Sequence, residues 1–229
     1  MQLSERLLAI ANEVPEESSV ADVGCDHAYT SIYLAEHKKL KHIIAMDVRK
    51  GPLSKARENI KASGLEEIIE TRLSDGLQAV LKGEINTVVL SGMGGSLIQK
   101  ILSEGKEVLE SVNCLVLQPQ TEIRELRKYL HTIGMHIEKE VMLMEEGKYY
   151  TIIVAMRGED VPYKEVHDAF GKYLLEEKNP VLEQFLTKES SKILNILSKL
   201  EEHREKNQIR INELEQELDL IKKGLDYYK

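Results

Sequence analysis

Between Val20 and Arg157, short runs rich in β-branched apolar residues alternate with amphipathic stretches, and few folds accommodate that rhythm. Strands are expected at Val20–Gly24, Ile43–Asp47, Ile69–Leu73, Thr87–Ser91 and Cys114–Gln118. Helices are expected between them, at Ala28–Glu36, Pro52–Ser63, Gly95–Ser103 and Thr121–Thr132. Pro52 suits a first helical turn, where its missing N–H costs nothing. Strand and helix in strict alternation make a parallel sheet with crossover helices, a doubly wound α/β fold. After Gly134 the period shortens to two. Met135–Met144 and Lys148–Met156 flank Glu145-Glu146-Gly147, which predicts an antiparallel hairpin closing the sheet. The sheet is then mixed, which a purely parallel nucleotide-binding fold does not require.

From Pro162 onward nothing resembles a strand. A helix over Tyr163–Lys178 should stop at Asn179-Pro180. Beyond it, Leu182, Phe185, Ile193, Ile196, Leu200, Ile211, Leu214, Leu218, Ile221 and Leu225 recur in steps close to three and four, with a stutter near Asn207. One long coiled-coil-like helix over Val181–Lys223 is the first expectation. A bend near Glu205–Gln208, making a helical hairpin, is the alternative. The chain thus divides into residues 1–158 and an all-α region, 159–229. The helices serve either packing or dimerisation, so monomer and coiled-coil-mediated dimer both stay open.

Composition excludes some partners. No apolar run approaches the roughly 20 residues of a membrane span. The amphipathic N-terminus is interrupted by Glu5, Arg6 and Glu13, unlike a signal peptide. Cys25 and Cys114 lack metal-ligand spacing, so a reduced, cytoplasmic protein without a metal is expected. A net charge of −8 means that any nucleic acid must be held by a local basic patch.

Four loops fall at the C-terminal edge of the expected sheet, where ligands of open α/β folds bind. The first follows Asp22-Val23-Gly24-Cys25-Asp26-His27-Ala28-Tyr29. A dinucleotide site would carry G-x-G-x-x-G there, yet only Gly24 is present, with Asp26 at the next alternate position. Asp26 would repel a pyrophosphate and welcome a cationic sulfonium or amino group. Asp26 also suits a helix N-cap. Asp47, beside Val48 and 23 residues past Gly24, ends the second strand and can accept from both hydroxyls of a ribose. Asp75-Gly76 is a turn whose carboxylate can reach an adenine amino group. Gly92, Met93 and Gly94 expose backbone after the fourth strand. Each loop alone is also an ordinary turn.

Taken with Ser91–Gly95 and Gln118-Pro119-Gln120, the Asp22–Tyr29 run resembles the bacterial tRNA adenine-N1 methyltransferases of the TrmK type. The resemblance spans the whole chain. It implies a class I methyltransferase fold, S-adenosylmethionine as cofactor, and transfer to N1 of adenine 22 in tRNA. A methyltransferase acting on a protein or small molecule, and a degenerate cofactor-binding module, are the competing readings. On the family reading, Asp22, Gly24, His27, Asp47, Val48, Asp75, Gly76, Gly92, Met93 and Gly94 are expected to hold the cofactor. Asp26 is the candidate catalytic residue, stabilising the charge that moves onto the base. Tyr29 is expected to line the pocket. Arg6, Arg49 and Lys50 are expected at tRNA phosphates, with Arg124, Arg127 and Lys128 on one helix face. Arg6 fits a cofactor carboxylate equally well.

Overall fold

The computed structural model describes residues 3–229 apart from 160 and 162, so the predicted start of the helical stretch at 162 lies outside the described residues. Helix α1 (Glu5–Glu13) is capped by Ser4, whose hydroxyl accepts from the Leu7 N–H at 3.3 Å. Strand β1 (Ser19–Val23), α2 (Tyr29–His37), β2 (His42–Asp47), α3 (Lys50–Ala62) and β3 (Ile69–Leu73) follow in the expected alternation. Next come β4 (Thr87–Met93), α4 (Gly95–Glu104), the short α5 (Lys106–Leu109), β5 (Cys114–Pro119) and α6 (Ile123–Thr132). The hairpin strands β6 (Met135–Glu145) and β7 (Lys148–Arg157) complete a seven-stranded sheet in the order β3-β2-β1-β4-β5-β7-β6. The pairs β1–β2, β1–β4, β2–β3 and β4–β5 are parallel, while β7 runs antiparallel to β5.

All of β5 and Ile43–Asp47 of β2 are buried, as expected of strands covered on both faces by crossover helices. That is why they read as continuous apolar runs rather than alternating ones. Strand order reverses between β1 and β4, so a crevice opens at their C-terminal ends. The sheet places the ends of β1, β2, β4 and β5 around that switch point.

The chain divides into two compact units: Met1–Val141 with Tyr150–Asp160, and Met142–Tyr149 with Val161–Lys229. The tip of the β6–β7 hairpin therefore belongs with the helices. Met142 shares a core with Val166, Leu174, Leu175, Leu182, Leu186, Ile193, Leu214, Leu218 and Ile221. Two expectations for the helical region are corrected. The stretch predicted as one helix over Tyr163–Lys178 is α7 (Glu165–Phe170) and α8 (Lys172–Glu176), broken at Gly171. The single long helix is instead α9 (Pro180–Leu200) and α10 (Arg204–Leu225), joined by a 3₁₀ turn at Glu201–His203. Folding back lets Leu182, Leu186 and Ile193 share a core with Leu214, Leu218 and Ile221, whereas one straight helix would leave both stripes in water. Asn179 starts α9, its side-chain carbonyl accepting from the N–H groups of Val181 (3.0 Å) and Leu182 (3.1 Å), with Pro180 in the first turn.

Candidate functional site

The loop after β1 keeps a glycine-like backbone without the glycines. Gly24, Asp26 and Ala28 all adopt positive φ, at 74°, 50° and 60°. Left-handed geometry at Asp26 and Ala28 stores conformational strain, the kind concentrated at functional sites. Ala28, not Asp26, stands at the N-cap of α2, and no side chain caps that helix. The N-cap alternative for Asp26 is therefore set aside. The Gly24 and Cys25 N–H groups both donate to the Met46 carbonyl at 2.8 Å, tying this loop to the end of β2. A Cβ on Gly24 would come within 2.3 Å of the Met93 methyl, so the β1 and β4 loops meet closely and a side chain at position 24 would displace Met93.

Three carboxylates surround this loop. Asp22 is the penultimate residue of β1, is 4% exposed, and accepts from the Ser31 hydroxyl at 2.5 Å. Asp47 ends β2, is equally buried, and accepts the Arg49 N–H at 2.8 Å through Oδ1. Asp26 is exposed, 3.7 Å from Nε2 of His27. Burial first, then the charges of Asp22, Asp47 and Asp26, push the Cys25 thiol far above its ordinary range, so all three fields converge there. The His27 ring stacks on Tyr29, with centroids 5.6 Å apart.

Burial also pushes the Asp22 carboxyl up to about 6, against the lowering effect of Ser31. Folded and unfolded states are both protonated below about pH 4, where the burial costs nothing. As pH rises to about 6 the unfolded chain ionises first, and above that the cost levels off near 3 kcal/mol. A cation at this loop relieves that cost by favouring the ionised form. Affinity for the cofactor that the resemblance implies, S-adenosylmethionine, measured by calorimetry, is accordingly expected to rise between pH 5 and 7 and to be flat in Asp22→Asn. An identical pH slope in the variant would show that Asp22 does not face the ligand's charge.

The remaining expected residues fall as follows. Val48, Arg49 and Lys50 are exposed beside Asp47, with the Arg49 Nε 3.6 Å from Asp47 Oδ1. Asp75 is exposed in a turn organised by Ser74, whose hydroxyl donates to the Gly76 carbonyl at 2.8 Å and accepts from Ala79 N–H. Gly92 forms a bulge in β4, and Gly94 leads into α4. A Cβ on the next residue, Gly95, would sit 2.7 Å from the Thr121 carbonyl, so the glycine run also lets α4 approach the β5–α6 loop. Arg6 reaches this edge from α1: its Nη1 donates to Gln118 Oε1 at 2.9 Å, and its guanidinium lies 5.5 Å from the Tyr150 ring centre.

One substrate expectation is overturned. Arg127 is only 2% exposed, its Nε 2.8 Å from Oε1 of the fully buried Glu140. It faces the sheet between Leu126 and Leu130 and cannot meet a phosphate. Arg124 and Lys128 are half-buried on the same helix, and Lys128 pairs with Glu125 at 3.1 Å. Sequence reasoning missed Ser31, Tyr150, and the roles of Gln118 and Gln120 as separate side chains. The glutamines were legible as polar residues at the C-terminal end of a buried strand, next to the switch point.

A loop flanked by Asp22, Asp26 and Asp47 has little use for a pyrophosphate and suits a ligand bearing a sulfonium and an ammonium group. A sheet of this order, with its reversed β7 and these loops at its switch point, defines the class: a Rossmann-like methyltransferase dependent on S-adenosylmethionine. Comparison with known proteins carries the assignment further. Residues 20–223 match the family model for TrmK, tRNA (adenine(22)-N(1))-methyltransferase. The tRNA (adenine(22)-N(1))-methyltransferase of Bacillus subtilis is 32% identical over 99% of this chain and 98% of its own length. A Streptococcus pneumoniae protein described as a tRNA (m1A22) methyltransferase is 36% identical, with a TM-score of 0.90 over 98% of this chain and 100% of that one. Its complex with S-adenosyl-L-methionine superposes with a TM-score of 0.88 at 35% identity, over 98% and 100% of the two chains. The chain belongs to the TrmK family of S-adenosylmethionine-dependent tRNA (adenine(22)-N(1))-methyltransferases.

Proposed function

We propose that this protein transfers the methyl group of S-adenosylmethionine to N1 of adenine 22 in tRNA. The observation that carries the reading is membership of the TrmK family across the chain, and the carboxylates of Asp22, Asp26 and Asp47 about the Gly24–Ala28 loop suit the cofactor's positive charge. Asp22 and Asp26 face the positive end of the cofactor, Asp47 with Val48 receives the ribose, and Asp75 with Gly76 receives the adenine. Gly92, Met93 and Gly94 cover the opposite side with backbone and thioether. His27 holds the loop through its stack on Tyr29.

Adenine N1 already carries an available lone pair, so no general base is required. Placing that lone pair in line with the methyl carbon supplies much of the rate. Positive charge enters the ring as the bond forms, and the exposed Asp26 carboxylate stabilises it there. Asp26→Asn is expected to lower the single-turnover rate about tenfold or more, with cofactor affinity changed less than threefold. Equal losses in rate and in affinity would remove Asp26 from the chemical step.

N1 lies on the Watson–Crick edge, so the adenine must leave its helix before reacting, and tRNA shape carries much of the selectivity. Arg49 and Lys50, exposed beside Asp47, with Arg6, Arg124 and Lys128, are the phosphate contacts in this reading. Residues 1–158, apart from the hairpin tip Met142–Tyr149, form the methyltransferase domain, and 159–229 with that tip form the helical domain. In the latter, α9 and α10 pair as a coiled-coil-like hairpin that contacts tRNA, and its apolar stripe is buried within the pair rather than offered to a second copy. Among the described residues no helix is long and apolar enough to cross a membrane, and no cluster of three or more metal-binding side chains occurs. Methyl transfer from labelled cofactor to unmodified tRNA tests the reading; label in a protein or metabolite pool and none in tRNA would overturn it.

A further inference from the structure

The run Gln118-Pro119-Gln120 ends β5 with two glutamines in opposite circumstances. Gln118 is fully buried, and its amide is engaged on both sides. Its Oε1 accepts from the Gly92 N–H at 3.1 Å and from Arg6 Nη1 at 2.9 Å, while Nε2 donates to the Pro119 carbonyl at 3.0 Å. Gln118 is therefore a support, fixing the Gly92 bulge and the Arg6 guanidinium. Gln120 is exposed. Its backbone is pinned, the N–H donating to the Met93 carbonyl at 2.8 Å, and its side-chain Nε2 would lie 3.8 Å from a Cβ on Gly92. Met93 in turn abuts Gly24. A primary amide on a pinned backbone, its side chain free to turn toward a ligand, thus stands beside the Gly92 loop, which the resemblance places at the cofactor.

Resting on the function read above, we infer that Gln120 reads the target adenine. Its Oε1 accepts from N6–H and its Nε2 donates to N7. A side-chain amide matches that edge of adenine in bidentate fashion. Guanine offers two acceptors there, and pyrimidines have no N7, so the same amide rejects both. Engaging the N6/N7 edge leaves N1 on the free edge. During transfer the N1 lone pair forms the new N–C bond, the electron pair of the breaking C–S bond stays on sulfur, and no proton moves. The positive charge that enters the ring spreads over N1, C6 and N6, making N6–H a stronger donor. The bond to Oε1 therefore tightens in the transition state, which raises the rate of the chemical step as well as selectivity.

The test compares single-turnover methylation of tRNA carrying adenine or 7-deazaadenine at the target position, for wild type, Gln120→Ala and Gln120→Glu. Wild type should slow about tenfold on the 7-deaza substrate, having lost one of two hydrogen bonds. Gln120→Ala should be roughly 100-fold slower than wild type on adenine and no slower again on 7-deazaadenine, with cofactor affinity within about twofold. Gln120→Glu keeps an acceptor for N6 and loses the N7 donor, so it should fall between the two and also ignore the 7-deaza change. A Gln120→Ala enzyme that matches wild type on adenine, or that keeps the wild-type sensitivity to 7-deazaadenine, overturns the inference alone. A wild type that leaves adenine 22 unmethylated overturns the functional reading and the inference with it.

Discussion

Replacing Asp47 with alanine is expected to weaken S-adenosylmethionine binding by roughly 30- to 150-fold, about 2–3 kcal/mol, in a calorimetric titration. The carboxylate ends β2 at the switch point and is almost wholly buried, so its hydrogen bonds form away from competing water. Its Oδ1 is already used by the Arg49 N–H, which fixes the turn after the strand. Asp47→Asn separates the two roles. The asparagine carbonyl can still accept from Arg49, while the charge and one acceptor are lost, so an intermediate loss of about tenfold is expected. If Asp47→Ala leaves the dissociation constant unchanged, Asp47 shapes the turn and the ribose binds elsewhere.

A comparably large effect, on stability rather than binding, is expected at Arg127. Arg127→Met should destabilise the protein by about 3–5 kcal/mol, because it strands the Glu140 carboxylate in the interior. Burial already pushes the Glu140 carboxyl upward, and Arg127 opposes that push. Without the arginine, Glu140 takes up a proton more readily, so the deficit should shrink as pH falls. The double change Arg127→Met with Glu140→Leu should recover most of the loss, since a well-packed apolar pair removes both desolvation costs. Denaturant unfolding measures all three proteins. A single variant within about 0.5 kcal/mol of wild type would mean that the pair carries no weight. A phosphate contact would have behaved differently, lowering tRNA affinity and its salt dependence while leaving stability intact.

That contrast shows where sequence reading works in this chain and where it stops. The strands were legible because a fully buried strand is a continuous apolar run, as Ile43–Met46 and Leu115–Leu117 are, and most observed boundaries lie within a residue or two of those expected. Helix ends with clear punctuation were also legible, as at Asn179-Pro180. The turn at Glu201–His203 was legible only as the alternative, a helical hairpin bent a few residues later near Glu205–Gln208, because no glycine or proline marks it. It forms because two apolar stripes, around Leu186 and Leu218, gain more by facing each other than by continuing in line. Arg127 was misread for a related reason. Helical spacing put it on a face with Arg124 and Lys128, but only its partner on β6 reveals that this face turns inward.

The candidate site was legible as loops rather than as geometry. Position relative to the strand ends placed Gly24, Asp47 and Asp75 at the C-terminal edge of the sheet, where the structure has them. The missing glycines at Asp26 and Ala28 suggested a different loop, yet the backbone keeps the left-handed turns with non-glycine residues. The division of labour between Gln118 and Gln120 depends on tertiary hydrogen bonds from Arg6 and Gly92, which no local pattern encodes.

The most direct test of the account is the position of the methyl group. Unmodified tRNA incubated with the enzyme and methyl-labelled S-adenosylmethionine should yield 1-methyladenosine at position 22 on nucleoside analysis and fragment mapping. A tRNA with guanine at that position should yield none. Label at another base, at another atom of adenine 22, or equally in both tRNAs would contradict the account.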